Sequence, residues 1–194
     1  MCARFQSNPK ETHLTAVKRI LRYLKHTPDL SLWYPKGCNF NLVGYANADY
    51  AGFLVDRKST SGMAHFLGPW LVSWATKKQH SVAMPTAEYV ATASCCAQLL
   101  WIKQQLKDFC VDTGCIPIYY DNTSAINIFK NPCQHRRTKH VDIHHHLLRD
   151  NMEKCLISMN FCATNIQIAD IFTKALSSEQ FEKNRLELGL IKIT

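Results

Sequence analysis

Apolar positions change their spacing along this chain. Between residues 8 and 26 they recur at helical intervals, with Leu14, Val17, Ile20, Leu21 and Leu24 on one stripe and Lys18, Arg19, Arg22 and Lys25 over the rest. That is the pattern of a basic amphipathic helix. Asn8-Pro9-Lys10-Glu11 offers a cap residue, a proline for the first helical position and an acid at the third, and Thr27-Pro28 ends the segment. From Cys38 onward the pattern shortens to strands at 39–46, 61–67 and 71–76, separated by Asp56-Arg57-Lys58-Ser59 and Gly68-Pro69. Three strands with short connections predict an antiparallel meander. Thr86 can cap a long helix running to about Phe109, with Val90, Ala93, Ala97, Leu100 and Trp101 as its apolar face. Gly114 and Pro117 introduce a buried strand at 116–120. A short helix at 122–130, a helix at 141–154, a strand at 156–163 and helices at 165–175 and 178–188 follow, with Gly189 as a stop. Trp33, Trp70, Trp74 and Trp101 are expected to serve packing. The sum is a mixed α/β sheet of five strands, three antiparallel and then parallel ones, with helices on its faces.

Length and charge narrow this picture. A chain of 194 residues, 46% hydrophobic, can bury one sizeable core, so one main domain with attached segments is expected. The formal charge of +8 and pI near 9.1 favour a polyanionic partner, although such a surface serves solubility as readily. Residues 1–36 hold seven Lys or Arg against two acids, fitting either a helix laid along a phosphate backbone or a docking helix with a solvated basic face. Nine cysteines, an odd number without a CxxC pair, and no apolar segment at Met1 predict reduced thiols in an intracellular protein, cytoplasmic or nuclear and not secreted. No apolar run approaches a membrane span, so no membrane partner is expected.

The chemistry-bearing positions fall where strands and helices meet. Glu88 lies in the first turn of the long helix, Asp121 ends the strand IYYDN, Asp170 lies within NIQIADIFTK, and Asn47 follows the first strand in GYANADYAG. Strand ends and helix starts can converge on one sheet edge, and oxygen ligands of this kind suit Mg2+. Taken singly, an acid in a first helical turn complements the helix dipole, and an Asp after a strand commonly caps the next helix. Their order along the chain gives the group its meaning. The strings GYANADYAG, VDRKSTSG, FLG, LVSWATKKQ, TAEYVA, YYDNTSAI, KNPCQHRRTKHVDI and IADIFTKAL resemble successive motifs of the ribonuclease H domain in copia-type LTR retrotransposon polyproteins. The opening ARFQSNPKETHLTAVKRILRYLK resembles the end of the preceding reverse-transcriptase region.

This resemblance implies a ribonuclease H-like fold at 37–176, preceded by a reverse-transcriptase connection remnant at 1–36 and followed by a helical tail at 177–194. It also implies hydrolysis of RNA in RNA/DNA hybrids, using two Mg2+ ions, with Mn2+ as a substitute. Carried over by position, the family's four acids fall on Asn47, Glu88, Asp121 and Asp170. The first-strand acid, Glu88 and Asp121 would hold one metal, and the first-strand acid with Asp170 the other. Asn47 stands where the family has aspartate, so cleavage is expected to be strongly reduced. Asp49 shares the strand face of Asn47 but lies about 6.8 Å further along, and would need a bulge to substitute. The run Met84-Pro85-Thr86-Ala87-Glu88-Tyr89 is shorter than the family's, a difference the preceding loop is expected to absorb. His140 and His144 have zinc-compatible spacing, but the family's similar His-rich stretch has no zinc site and no cysteine pair completes one here. His135 or His140 could instead assist product release or contact the hybrid, with ordinary surface or core histidines the favoured alternative. Arg57, Lys58, Ser59, Thr60, Asn122, Ser124, Arg136, Arg137, Lys139 and His140 are the candidate contacts to nucleic acid, as backbone-directed donors. The rival expectation is a domesticated or decayed module that binds nucleic acid or a protein partner without cutting.

Overall fold

The structure is a computed structural model that describes residues 5–34, 36–37, 39–52, 57–79, 84–122 and 139–193, without the side chains of 84–86 and 139–145. Its elements are α1 (Glu11–His26), β1 (Leu30–Leu32), β2 (Leu42–Asp49), β3 (Thr60–Leu67), β4 (Trp70–Lys78), α2 (Met84–Asp108), β5 (Ile116–Tyr120), α3 (Lys139–Glu153), β6 (Ile157–Phe161), 3-10 turns at Thr164–Ile166 and Ile168–Phe172, α4 (Ser178–Glu187) and β7 (Leu190–Lys192). The expected short helix at 122–130 falls almost wholly outside the described residues. The main sheet has the order β4-β3-β2-β5-β6. β2, β3 and β4 form the antiparallel meander, and β5 joins β2 and β6 in parallel. This is the expected mixed five-stranded sheet.

Alternation along the strands divides the core in two. Leu42 and Ala46 of β2, Met63 of β3, and Ile116, Ile118 and Tyr120 of β5 face α2 and α3, where they pack with Tyr89, Ala93, Cys96, Leu99 and Leu148. On the opposite face Ala64, Phe66, Leu71, Ile168 and Leu188 form a second cluster, with Val43 and Tyr45 against it. Asn47, two residues beyond Tyr45, shares that second face. Asp121, two beyond Tyr119, continues the same alternation one strand over, and the Tyr45 and Tyr119 rings stack at 5.2 Å. Burial at roughly 25 cal/mol per Å2 of apolar surface is what holds both clusters.

Two glycines set how closely the layers approach. A Cβ on Gly44 would lie 2.5 Å from Leu99 Cδ1, so glycine lets α2 settle on the sheet. A Cβ on Gly62 would lie 2.7 Å from the Ala169 carbonyl oxygen and 2.6 Å from Thr173, so glycine admits the 168–172 turn onto β3.

Several expectations are corrected. α1 begins at Glu11, with Lys10 rather than Asn8 at the N-cap, and the His13 ring accepts the Lys10 N–H at 3.0 Å. None of its residues is buried. The buried face of α2 runs through Tyr89, Ala93, Cys96 and Leu99, while Ala97 and Trp101 point outward. This helix is apolar almost all round, so periodicity alone could not choose the face; small Ala and Cys residues allow the close approach. Trp33, Trp74 and Trp101 are each more than half exposed, so they do not serve the core. The segment 165–175 is not one helix but two 3-10 turns. Gln167 separates them because its side chain accepts from Ala169 N–H at 3.2 Å and donates to the Ala46 carbonyl at 3.0 Å, competing with helical bonding.

At the chain's ends, β1 pairs antiparallel with β7, joining the first and last segments in a ribbon. α4 stops as expected, with Gly189 in the left-handed region at φ +77. The six cysteines among the described residues are all free, and no helix there is long and apolar enough to cross a membrane.

Candidate active site

β2 and β5 are adjacent and parallel, but the chain leaves β2 toward β3 and β5 toward β6. The carboxyl ends of such a pair open a crevice, the usual place for a ligand in an α/β sheet. Here the crevice is a cleft of about 360 Å3 lined by Asn47, Ala48, Asp49, Tyr50, Glu88, Asp121, Asn122 and Lys174. Each wall has a local cause. Asn47 sits inside β2 opposite Gly62 of β3. Glu88 is fixed because Gln79, just past β4, donates through its buried amide to the Ala87 carbonyl at 2.6 Å and to Ser61 Oγ. Asp121 follows β5 directly. Asp170 is carried to Asn47 by the Gly62 approach and the Gln167 tie to Ala46.

The contacts are specific. Asn47 donates from Nδ2 to Asp170 Oδ1 and, at 3.0 Å, to Thr173 Oγ1. Lys174 Nζ pairs with the other Asp170 oxygen, Oδ2, at 2.8 Å. Glu88 accepts from Asn122 Nδ2 and from the Tyr120 hydroxyl. Burial pushes the Glu88 carboxyl up, the bonds from Asn122 and Tyr120 oppose this, and the nearby Asp121 charge adds to it. Burial also pushes Asp170 up, against the pull of Lys174 and Asn47, and again Asp121 adds. Asp121 therefore lies within electrostatic reach of both acids.

The structure thus brings Asn47, Glu88 and Asp121 to one cleft, with Asp170 bonded to Asn47. Among the described residues, no three Asp, Glu, His or Cys side chains close into a ready metal cage. The shortened run before α2 leaves Glu88 in the cleft. The β2–β3 register runs unbroken through Asp49, opposite Thr60, so the bulge that would carry Asp49 into position 47 does not occur. Asp49 lines the cleft on its own account, its carboxyl pushed up by burial and pulled back by Lys174. Of the proposed contacts, Arg57 is exposed. Ser59 is fully buried and accepts from Ala51 N–H at 3.3 Å, which ties it to the loop, and Thr60 is buried in the sheet, where it lines a second, smaller cleft with Thr76 and Lys174. The Asn122 side chain is engaged with Glu88. Ser124, His135, Arg136 and Arg137 lie outside the described residues, as do the side chains of Lys139, His140 and His144. Lys174, Thr173, Gln167 and Gln79 were not anticipated. The i, i+4 spacing of Asp170 and Lys174 was the legible signal for the first.

No family model matches the chain. Among solved structures it is similar to LC11-RNase H1 isolated from compost, with TM-score 0.53 and 11% identity over 74% of this chain and 97% of that one. It is also similar to the N-terminal RNase H domain of rv2228c from Mycobacterium tuberculosis, with TM-score 0.52 and 7% identity over 76% and 98%. The molecule therefore has a ribonuclease H-like fold. In sequence it is 34% identical over 194 residues to the retrovirus-related Pol polyprotein from transposon RE2 of Arabidopsis thaliana, covering 98% of this chain and 13% of that protein. It is 35% identical over 190 residues to the one from transposon TNT 1-94 of Nicotiana tabacum, covering 97% and 14%. Its homologues are thus retrovirus-related Pol polyproteins of copia-type transposons, and its structural neighbours are ribonuclease H domains. It spans about one seventh of the length of these relatives.

Proposed function

We propose that this chain is a hybrid-directed ribonuclease H domain whose hydrolysis of RNA in RNA/DNA duplexes is slowed by Asn47. The observation that carries the reading is the meeting of Asn47, Glu88 and Asp121 in one cleft at the ends of the parallel strands, with Asp170 held against Asn47. Glu88 and Asp121 fit a hard divalent ion: both carboxylates line the cleft, and the Glu88 carboxyl is pushed up by burial and by its acidic neighbour, a cost that a cation would relieve. Mg2+, or Mn2+ in its place, would when bound supply charge neutralisation at the phosphate and acidity for the attacking water. The protein's own part is positional. Asn122 and Tyr120 fix the Glu88 carboxylate, and a rigid acceptor set costs no reorganisation during reaction. Arg57, with Arg136, Arg137, Lys139 and His140, would meet the hybrid's phosphates; the chain's +8 charge supports such a partner. LC11-RNase H1, of similar fold, has been solved in complex with an RNA/DNA hybrid. The setting would be intracellular, cytoplasmic or nuclear.

Asn47 supports the second reading, a domesticated or decayed module that holds nucleic acid or a protein without cutting. An amide there donates toward Asp170 where a carboxylate would accept a cation. A labelled hybrid separates the two. The enzyme reading expects slow Mg2+-dependent product that Glu88→Ala or Asp121→Ala abolishes, and the binding reading expects salt-sensitive association with no product at all.

A further inference from the structure

Asp170 is already neutralised within the protein. Its Oδ2 is paired with the Lys174 ammonium at 2.8 Å, and its Oδ1 accepts from the Asn47 amide. The same Asn47 nitrogen also reaches Thr173 Oγ1 at 3.0 Å, and Thr173 in turn donates to the Asp170 carbonyl at 3.0 Å. The carboxylate is buried, 3% exposed, and directly paired with the Lys174 ammonium, which also draws on Asp49 across the cleft. A metal ion entering here would have to displace an ammonium and desolvate against an amide N–H2 group that points its hydrogens at the acid. Glu88 and Asp121 differ: Asn122 and Tyr120 give Glu88 neutral donors only, and the acids of that side repel one another.

We infer that Lys174 is the resident cation of the Asp170 side of the cleft, and that Asn47 and Lys174 together keep a divalent ion from it. The site then takes one metal ion, at Glu88 and Asp121, rather than two. This deepens the ribonuclease H reading and rests on it for the expectation that any metal enters the cleft. An amide at 47 and an ammonium at 174 act in the same direction. An aspartate at 47 would place two carboxylates side by side with only one ammonium between them, and the pair would then favour a further cation.

The test is a count of bound Mn2+ by the loss of its free-ion resonance signal, on the folded chain without nucleic acid. Wild type is expected to bind one ion, lost in Asp121→Asn and unchanged in Asp170→Asn. Asn47→Asp is expected to bind one more, and that added ion to disappear when Asp170→Asn is combined with it. Lys174→Met in the Asn47→Asp background should tighten the added ion. Circular dichroism of each variant confirms that it is folded. A wild-type ion that Asp170→Asn removes, or an Asn47→Asp protein that binds no more than wild type, overturns the inference while leaving the ribonuclease H reading in place. Failure of every variant to bind Mn2+ overturns both.

Discussion

Asn47 differs from an aspartate by a nitrogen in place of one oxygen, and that exchange turns an acceptor into a donor toward Asp170. The consequence is local and specific, because Glu88, Asp121 and Asn122 do not depend on it for their positions. Residue identity was legible here to a fair degree. The chain order of Asn47, Glu88, Asp121 and Asp170 pointed to one cluster, and the structure brings Asn47, Glu88 and Asp121 to one cleft with Asp170 bonded to Asn47. Lys174 was missed because the family pattern directs attention to acids, whereas the ion pair follows from ordinary i, i+4 spacing. His65 is fully buried on β3, with Nδ1 donating to the Ser73 carbonyl at 3.2 Å. Burial lowers its pKa to about 4, against the Ser73 and Cys95 backbone contacts that raise it. The unfolded chain therefore binds a proton at higher pH than the folded one, so stability is lost as pH falls from about 6.5 toward 4. The expected cost is about 3 kcal/mol over that range, some 2 kcal/mol of it by pH 5. Thermal melts at pH 7 and pH 5 should show that loss in wild type and a smaller one in His65→Gln.

At the scale of elements, the strands were legible because alternation has only two faces to choose between. β5 falls at 116–120 as expected, and β3, β4 and β6 within two residues of their expected ends. α2 was legible as a helix but not in its orientation, since Ala, Cys and Leu occur on nearly every side of it. The 165–175 segment was misread for a different reason: its apolar spacing is helical, but the Gln167 amide bonds the backbone locally and to β2, and only tertiary contact reveals this. That turn is what delivers Asp170. Gly62→Ala would press a methyl against the Ala169 carbonyl and Thr173. It should destabilise the fold by about 1–3 kcal/mol, the range for overpacking. It should also weaken the Asn47–Asp170 contact, visible as faster exchange of the Asn47 side-chain amide protons. An unchanged melt would show that the turn has slack. Gln167→Leu should act alike, leaving the Ala46 carbonyl without its donor at a cost of about 1–3 kcal/mol.

For the whole molecule, the sheet order places a cleft at the one point where the chain departs to both sides, and Asn47, Glu88 and Asp121 line it, with Asp170 bonded to Asn47. The β1–β7 ribbon was not legible. Strands of three residues with no alternation to read are recognised only by their partner, and these two lie at opposite ends of the sequence. Net charge of +8 predicts that hybrid affinity falls as salt rises. With about 6 phosphate contacts the loss would be about a thousandfold between 50 and 200 mM salt, and a flat salt response would exclude phosphate-led binding. The most direct measurement of the central claim is cleavage of a labelled RNA/DNA hybrid in Mg2+ by Asn47→Asp beside wild type. Restoring one charged group at the reacting centre should raise the rate about a hundredfold or more, with Asp121→Asn in the same background abolishing it. An Asn47→Asp protein that is folded, binds the hybrid and cuts no faster than wild type would contradict the account.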